Sequence, residues 1–248
     1  MHGKDVLCGH LQRLSLPQED RVHSNMPSAT CKLYDQTMFS AVLFDFGGVI
    51  TSSPFEGFEA YEEELGLPKG IIRRINSSDP NENAWARFER NQISRDDFYA
   101  QFEAEAAELG YEISAERVLD CLETELRPNM VELVRELSGE YKVGILTNNL
   151  IENFDEGGER EADPTAHLLS VKGYVDAIIE SSKLGVRKPE PLFYKIACET
   201  LAVNPKECVF LDDLGINLKP AREMGMTTIK VINEEQAIRD LKSILRTK

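Results

Sequence analysis

The sequence is poor in positive charge. It contains 28 lysine and arginine residues against 43 aspartate and glutamate residues, which gives a formal net charge of −15 over 248 residues. Nucleic acids and anionic membrane surfaces attract proteins through basic patches, and no such patch stands out along the chain. We therefore expect neither a nucleic-acid partner nor attachment to an anionic membrane.

Cysteine is also sparse. The five cysteines are scattered without a C-x-x-C pair: Cys8, Cys31, Cys121, Cys198 and Cys208. This pattern excludes a disulfide framework and a cysteine-based zinc site, and it favours a reducing compartment. We expect a cytoplasmic protein; mitochondrial import is the alternative, although residues 1–38 are more acidic and poorer in arginine than a typical transit peptide.

Long apolar runs are missing as well. No run approaches the roughly 20 residues of a membrane helix, and residues 1–38 lack the apolar centre of a secretory signal. We expect no membrane span.

The sequence does contain short apolar runs in alternation with helical patterns. With 42% hydrophobic residues, the chain can bury a full core. Five runs are typical of buried parallel strands: Ala41–Phe44, Val143–Leu146, Ala177–Ile179, Val209–Leu211 and Thr228–Val231. Helical patterns lie between or after them: Asn129–Leu137, Pro191–Leu201 and Glu234–Leu245. This order predicts an α/β fold with a doubly wound, mainly parallel sheet.

Residues 53–126 contain no comparable strand run. Their amphipathic stretches predict helices: Gly57–Leu65, Lys69–Ile75, Arg95–Leu109 and Ala115–Leu126. An insert directly after the first strand lies over the carboxyl ends of the strands, where open α/β sheets bind ligands. We predict a flexible leader at 1–38, a core domain at 39–52 and 127–248, and a helical cap at 53–126. The acidic segment 152–165 predicts a flexible loop, with substrate gating as the alternative.

Candidate site residues lie at or after the ends of four of the predicted strands. Asp45 ends the first run, Thr147 and Asn148 follow the second, and Lys188 lies in a loop before a helix that starts with proline. Asp212 and Asp213 end the fourth run. Two adjacent carboxylates repel each other unless a cation lies between them, and a hard divalent ion such as Mg²⁺ prefers oxygen ligands. No cluster of histidine or cysteine competes for a softer metal.

The order of these residues, in "AVLFDFGGVI", "ILTNN", "LGVRKPEP" and "VFLDDLG", resembles the haloacid dehalogenase (HAD) superfamily over residues 40–248. "RKPEPLFYK" and "VFLDDLGINLKPAREMGMTTIKV" look like the N-terminal phosphatase domain of soluble epoxide hydrolase and the leading domain of acyl-CoA dehydrogenase family member 10. "FDFGGVITSSP" and "NENAWARFERNQIS" look more like the second of these domains. We expect a stand-alone version of such a domain, with a HAD-like, Rossmannoid core.

The resemblance implies roles for these residues. It makes Asp45 the nucleophile that forms an aspartyl-phosphate, with Thr147, Asn148 and Lys188 holding the phosphoryl group. It makes the Asp45 and Asp213 carboxylates and the backbone carbonyl of Gly47 the ligands of Mg²⁺, and places Asp212 behind these direct ligands. The implied substrate is a small phosphorylated molecule, and the two relatives suggest a lipid or acyl-chain phosphate.

Gly47 stands where most phosphatases of this superfamily have a second aspartate that acts as general acid and base. Three hypotheses follow: a slow phosphatase, aided by good leaving groups or a cap carboxylate such as Glu56 or Glu59; a catalytically impaired phosphate-binding or regulatory domain; or attack of Asp45 on carbon. The metal motif fits phosphate better than the last. Because glycine reaches positive φ freely, Gly47 and Gly48 are also expected to form a sharp turn.

The stretch "NAWARFERN" has two interpretations. Trp85, Arg87, Phe88 and Arg90 could contact the organic part of a substrate, with Arg87 or Arg90 binding a second anionic group. The more common arrangement is an amphipathic helix that packs its aromatic side chains inward.

Overall fold

A computed structural model describes residues 39–150 and 166–246 of the chain. The predicted leader at 1–38 and the predicted acidic loop at 152–165 lie outside these residues. No helix in the described ranges has the length and apolarity needed to cross a membrane.

Five parallel strands form one sheet: β1 Ala41–Phe44, β2 Lys142–Thr147, β3 Ala177–Glu180, β4 Cys208–Asp212 and β5 Thr227–Lys230. Their order across the sheet is β3-β2-β1-β4-β5. All five were predicted, and each end lies within one residue of its predicted position. The central strand β1 is buried along its whole length, as expected for a continuous apolar run covered on both faces.

Helices of the core cover both faces of the sheet. They are α6 Pro128–Leu137, α7 Ala166–Lys172, α8 Ser181–Leu184, α9 Pro191–Leu201, α10 Gly215–Glu223 and α11 Glu234–Arg246. On one face, Val42, Phe44 and Leu211 pack against α6, α7 and α11; on the other, Leu43 and Phe210 pack against α9 and α10. The prediction of a doubly wound parallel sheet is confirmed.

The segment after β1 forms five helices with a hydrophobic core of their own. They are α1 Pro54–Glu64, α2 Ile71–Asn76, α3 Ala84–Glu89, α4 Arg95–Glu108 and α5 Ala115–Asp120. Phe58, Phe98 and Phe102 lie at the centre of this core. Side chains of Ser or Asn cap the first turns of α1, α3, α4 and α5, which fixes where those helices begin.

The chain enters and leaves this helical insert through two adjacent backbone segments. Thr51 forms an antiparallel bridge with Leu126, and Ser52 N donates to Glu125 O at 2.7 Å. The helix predicted at 115–126 ends earlier, at Asp120. The last two residues of the predicted stretch, Glu125 and Leu126, pair with the entering segment instead.

Candidate active site

The carboxyl ends of the parallel strands bring the predicted site residues to one edge of the sheet. Asp45 follows β1, and its backbone N–H donates to Leu211 O of β4 at 2.8 Å. Thr147 and Asp212 are the last residues of β2 and β4. A cavity of about 940 Å³ lies at this edge and reaches the helical insert. Its lining includes the predicted residues Asp45, Gly47, Thr147, Asn148, Lys188 and Asp213.

Lys188 lies between two carboxylates. Its Nζ is 2.6 Å from Asp45 Oδ1 and 2.9 Å from Asp212 Oδ2, and its side chain is only 1% exposed. A buried ammonium needs such compensation, because an unpaired charge in the interior costs several kcal/mol. Burial tends to lower the pKa of Lys188, but the carboxylates of Asp212 and Asp45 more than offset this effect and raise the pKa above its usual value.

Asp212 is fully buried and surrounded by donors. Besides Lys188, it accepts hydrogen bonds from Leu214 N at 2.7 Å and from Asn217 Nδ2 at 3.1 Å to each carboxylate oxygen. Asn217, in the first turns of α10, was not singled out in the sequence. These contacts make Asp212 suited to orienting Lys188.

Asp45 and Asp213 are less well compensated. Burial raises the pKa of Asp45 well above its ordinary value, and the charges of Asp212 and Asp213 add to the rise against the opposing effect of Lys188. Burial, followed by the charge of Asp212, raises the pKa of Asp213 to about 6. The cluster therefore holds more negative charge than its protein neighbours neutralise.

A divalent cation fits this cluster. Carboxylate oxygens of Asp45, Asp212 and Asp213 lie within 4.8 Å of one another. When all three are ionised, the ammonium of Lys188 leaves two negative charges uncompensated. An all-oxygen donor set of this charge suits Mg²⁺, which binds to one or two carboxylates and retains several waters.

The structure requires glycine at position 48 but not at position 47. Gly48 has φ +77°, and a Cβ added to it would lie 2.4 Å from Asp213 Oδ2, so both backbone conformation and space require glycine. Gly47 has φ −66° and ψ 129°, which any residue adopts. A Cβ on Gly47 would meet only Pro54 Cδ, at 4.0 Å. The predicted turn role is confirmed for Gly48 and is wrong for Gly47.

Asn148 joins the end of β2 to the loop of Lys188. Its Oδ1 accepts from Lys188 N at 2.8 Å, and its Nδ2 donates to Lys188 O at 2.9 Å. Nδ2 also donates to Glu89 Oε2 of the insert at 3.3 Å. The side-chain amide therefore fixes the backbone around Lys188.

The structure corrects one interpretation of the "NAWARFERN" stretch. Phe88 stacks on Phe98 in the core of the insert, with ring centroids 4.6 Å apart, and Trp85 both touches that core and lines the cavity. Arg87 donates to Gln101 at 2.9 Å, and Arg90 pairs with Glu190 at 2.8 Å.

Arg87 and Arg90 are not among the residues that line the cavity, so the alternative interpretation, in which one of them binds a second anionic group, is wrong. The more common arrangement, with aromatic side chains packed inward, is confirmed for Phe88. The lining arginines are Arg73, Arg74 and Arg187. Sequence reasoning missed Arg73 and Arg74 because their spacing in α2 carries no signal of which way that helix faces. It missed Arg187 because a loop residue has no periodic pattern from which its direction could be predicted.

The two carboxylates of the insert that were predicted as possible substitutes for an acid at position 47, Glu56 and Glu59, lie outside the cavity. Glu56 is exposed and Glu59 pairs with Lys69 at 2.7 Å; neither belongs to the lining of the cavity. The lining carboxylates contributed by 53–126 are Glu89, Asp120, Glu123 and Glu125.

A family model described as haloacid dehalogenase-like hydrolase matches residues 39–225. The chain belongs to this hydrolase family. It is 30% identical over 217 residues to bifunctional epoxide hydrolase 2 of Sus scrofa and 29% identical over 220 residues to acyl-CoA dehydrogenase family member 10 of Mus musculus. The match covers 82% of this chain and 38% of the epoxide hydrolase, and 84% of this chain and 19% of the dehydrogenase. The predicted resemblance is confirmed.

A relative of similar length is sesquiterpene phosphatase astK of Aspergillus oryzae, which is 28% identical over 84% of this chain and 98% of its own. Among solved structures, a HAD-like family hydrolase from Porphyromonas gingivalis has a TM-score of 0.59 at 19% identity, over 85% of this chain and all of that one. A variant of a HAD family enzyme from Bacteroides thetaiotaomicron, solved with magnesium and inorganic phosphate, has a TM-score of 0.52 at 21% identity, over 77% of this chain and 93% of that one. At these identities the two structures show the shared fold.

Proposed function

We propose that this hydrolase is a Mg²⁺-dependent phosphatase that cleaves a small-molecule phosphate ester through an aspartyl-phosphate on Asp45. The observation that carries the proposal is the meeting of Asp45, Lys188 and Asp213 at one cavity, with Lys188 Nζ 2.6 Å from the Asp45 carboxylate. A nucleophilic carboxylate, a fixed ammonium and a further carboxylate suit phosphoryl transfer, in which positioning and charge stabilisation supply most of the catalysis.

In the proposed reaction, an Asp45 carboxylate oxygen attacks phosphorus as the bond from phosphorus to the leaving oxygen breaks. The leaving oxygen takes a proton from water. A second water then attacks the phosphorus of the aspartyl-phosphate and gives a proton to the hydroxide left by the first. The bond from Asp45 to phosphorus breaks, which releases inorganic phosphate and restores the carboxylate. Lys188, the hydroxyl of Thr147 and the backbone N–H of Asn148 hold the phosphoryl oxygens; the Asn148 side chain is already engaged with Lys188.

The direct ligands of Mg²⁺ would be the carboxylates of Asp45 and Asp213 and the backbone carbonyl of Gly47. When bound, Mg²⁺ neutralises the charge shared by the nucleophile and the phosphoryl group. Gly48 supports this arrangement, because only a residue without Cβ lets Asp213 approach the β1 loop so closely. Asp212 acts behind these ligands by holding Lys188.

We propose that turnover is slow. Gly47 offers no proton to the leaving oxygen, and general acid–base help contributes about 10²–10⁴-fold in rate. Phosphate binding without turnover is the second candidate function, and the observation that favours it is the open space beside Gly47, which a catalytic side chain would otherwise fill.

We propose that the insert acts as a cap that selects a phosphate with an apolar body, such as a lipid or acyl-chain phosphate. Apolar side chains of the insert line the cavity, including Phe55, Phe58, Trp85 and Leu122. The guanidinium of Arg73 lies 4.0 Å over the Phe55 ring in the same wall and could bind a second anionic group. The name of the Aspergillus relative, a sesquiterpene phosphatase, also fits an apolar substrate.

We further propose a cytoplasmic location. The described cysteines Cys121, Cys198 and Cys208 are all free thiols, which suits a reducing compartment.

Initial rates with p-nitrophenyl phosphate and Mg²⁺ test the proposed function. We expect wild-type turnover that Asp45→Asn abolishes. If wild type is inert yet binds inorganic phosphate with Mg²⁺ in calorimetry, the binding function replaces the phosphatase. If it neither turns over nor binds phosphate, both candidates are wrong.

A further inference from the structure

Two ion pairs dock helix α3 of the insert onto the loop that carries Lys188. Glu89, the last residue of α3, lies with Oε2 2.5 Å from Arg187 Nε, and the two side chains are 8% and 12% exposed. Arg90, the next residue, lies with Nη2 2.8 Å from Glu190 Oε1. The pairs have opposite polarity and bracket Lys188 and Pro189 in the sequence. The two ion pairs differ in the other contacts that their insert residues, Glu89 and Arg90, make.

Glu89 makes contacts that Arg90 does not. Its Oε1 accepts a hydrogen bond from Trp85 Nε1 at 2.9 Å, and its Oε2 accepts one from Asn148 Nδ2 at 3.3 Å. Its backbone carbonyl accepts from Ser181 Oγ at 2.8 Å. A buried carboxylate on the cap is thus tied to the core at two points beside the phosphate-binding residues.

Asn148 connects Glu89 to the backbone of Lys188 through hydrogen bonds. One hydrogen of Nδ2 is directed to Lys188 O, the second is available to Glu89, and Oδ1 accepts from Lys188 N. A carboxylate beside Nδ2 also fixes which end of the amide is the donor, because the reverse orientation would place two oxygens together. Glu89 therefore stabilises the one orientation in which Asn148 can bind both backbone groups of Lys188.

We propose that Glu89 is a positioning residue of the cap, which holds Asn148 and Arg187 on either side of the Lys188 backbone and so makes affinity for the phosphoryl group depend on this one contact of the insert. This inference rests on the proposed phosphate site. Glu89 belongs to the lining of the cavity, but its carboxylate oxygens are engaged with Trp85, Asn148 and Arg187. It acts through Asn148 on the lysine whose Nζ lies between Asp45 and Asp212.

The test compares Glu89→Gln with Arg90→Gln, which breaks the neighbouring pair. The amide introduced by Glu89→Gln would present either an N–H₂ group or a weaker acceptor to the donors Trp85 Nε1 and Asn148 Nδ2. Arg90→Gln removes an ion pair between the insert and the core but makes no contact with Asn148. Binding of inorganic phosphate in the presence of Mg²⁺ is measured by calorimetry for each variant, together with KM and kcat for p-nitrophenyl phosphate and the thermal unfolding midpoint.

We expect Glu89→Gln to weaken phosphate binding and raise KM about 10-fold, within the range found when groups that orient direct ligands are removed. Arg90→Gln should lower the thermal unfolding midpoint about as much as Glu89→Gln does, because each variant breaks one ion pair between the insert and the core. It should nevertheless keep phosphate affinity within about twofold of wild type. Glu89→Asp, which keeps the charge on a shorter side chain, should fall between Glu89→Gln and wild type; it is also the variant to measure if Glu89→Gln does not fold.

Three results would overturn the inference. Equal phosphate affinity in wild type and both folded Glu89 variants would show that Glu89 only stabilises the insert. Equal losses in Glu89→Gln and Arg90→Gln would assign the effect to docking in general. Absence of both turnover and phosphate binding in wild type would remove the proposed function as well, whereas the first two results leave that function intact.

Discussion

Replacing Gly47 with aspartate should restore the missing proton donor. The backbone at Gly47, with φ −66° and ψ 129°, accepts an aspartate without strain. The nearest atom to an added Cβ is Pro54 Cδ at 4.0 Å, an ordinary van der Waals contact. The cavity that Gly47 lines leaves room for the carboxyl group.

The size of the gain depends on the leaving group. General acid help contributes about 10²–10⁴-fold, which corresponds to about 3–5 kcal/mol of barrier. An alkoxide needs a proton as it leaves, whereas p-nitrophenolate leaves without one. If formation of the aspartyl-phosphate limits the rate, Gly47→Asp should accelerate decyl phosphate by roughly this factor and p-nitrophenyl phosphate much less. If hydrolysis of the aspartyl-phosphate is limiting, both substrates gain equally, because the aspartate then activates water.

The assay is the initial rate of phosphate release from both esters with Mg²⁺. Gly47→Asn is the matched control, since it has the same shape and cannot transfer a proton. Thermal unfolding midpoints show whether the new carboxyl, which lines the same cavity as Asp45 and Asp213, destabilises the fold through repulsion.

A folded Gly47→Asp protein that is no faster than Gly47→Asn on either ester would refute the reasoning. Proton transfer would then not be the step that the glycine slows. If Gly47→Asp turns over while wild type is inert, the site is complete apart from the acid, and phosphate binding becomes the better account of the natural protein.

Asp45→Asn should reduce turnover of p-nitrophenyl phosphate to background, since the amide is a poor nucleophile; residual wild-type-like rates would exclude Asp45 as the attacking group. Lys188→Met should lower the free energy of unfolding by about 3–5 kcal/mol in urea titration, because it leaves the Asp45 and Asp212 carboxylates without their buried partner. Gly48→Ala should lower it by about 1–3 kcal/mol and weaken Mg²⁺ binding in calorimetry, because the new methyl group would displace Asp213; unchanged Mg²⁺ affinity would contradict this. Mg²⁺ at 100 times its Kd should stabilise wild type by about 2.7 kcal/mol, and Asp213→Asn should lose that stabilisation in the same unfolding assay.

The sequence predicted the sheet and the edge of the site well because both depend on local patterns. A parallel strand buried on both faces is a continuous apolar run, so Ala41–Phe44 and its partners were recognisable without tertiary information. Parallel pairing then brings residues at the ends of different strands to one edge, which is why Asp45 and Asp212 could be expected together despite their separation along the chain.

The two adjacent glycines show where local reasoning stops. Their shared residue type suggested one backbone explanation for both. Only Gly48 has positive φ and a close neighbour, and that neighbour, Asp213, comes from the end of another strand. No pattern within "FDFGGVI" reveals which glycine the fold requires and which position is free to carry a side chain.

Contacts between the insert and the core were the least predictable feature, and the proposed role of Glu89 depends on them. The amphipathic pattern of α3 correctly placed Phe88 inward, but it does not fix the rotation of the insert over the sheet edge. That rotation decides that Glu89 meets Arg187 and Asn148, while Arg87 faces Gln101. A charged residue at the end of a helix is usually solvated, so its burial against the lysine loop becomes visible only in three dimensions. Contacts of this kind between the insert and the core are therefore those that a strand-by-strand analysis is least able to find.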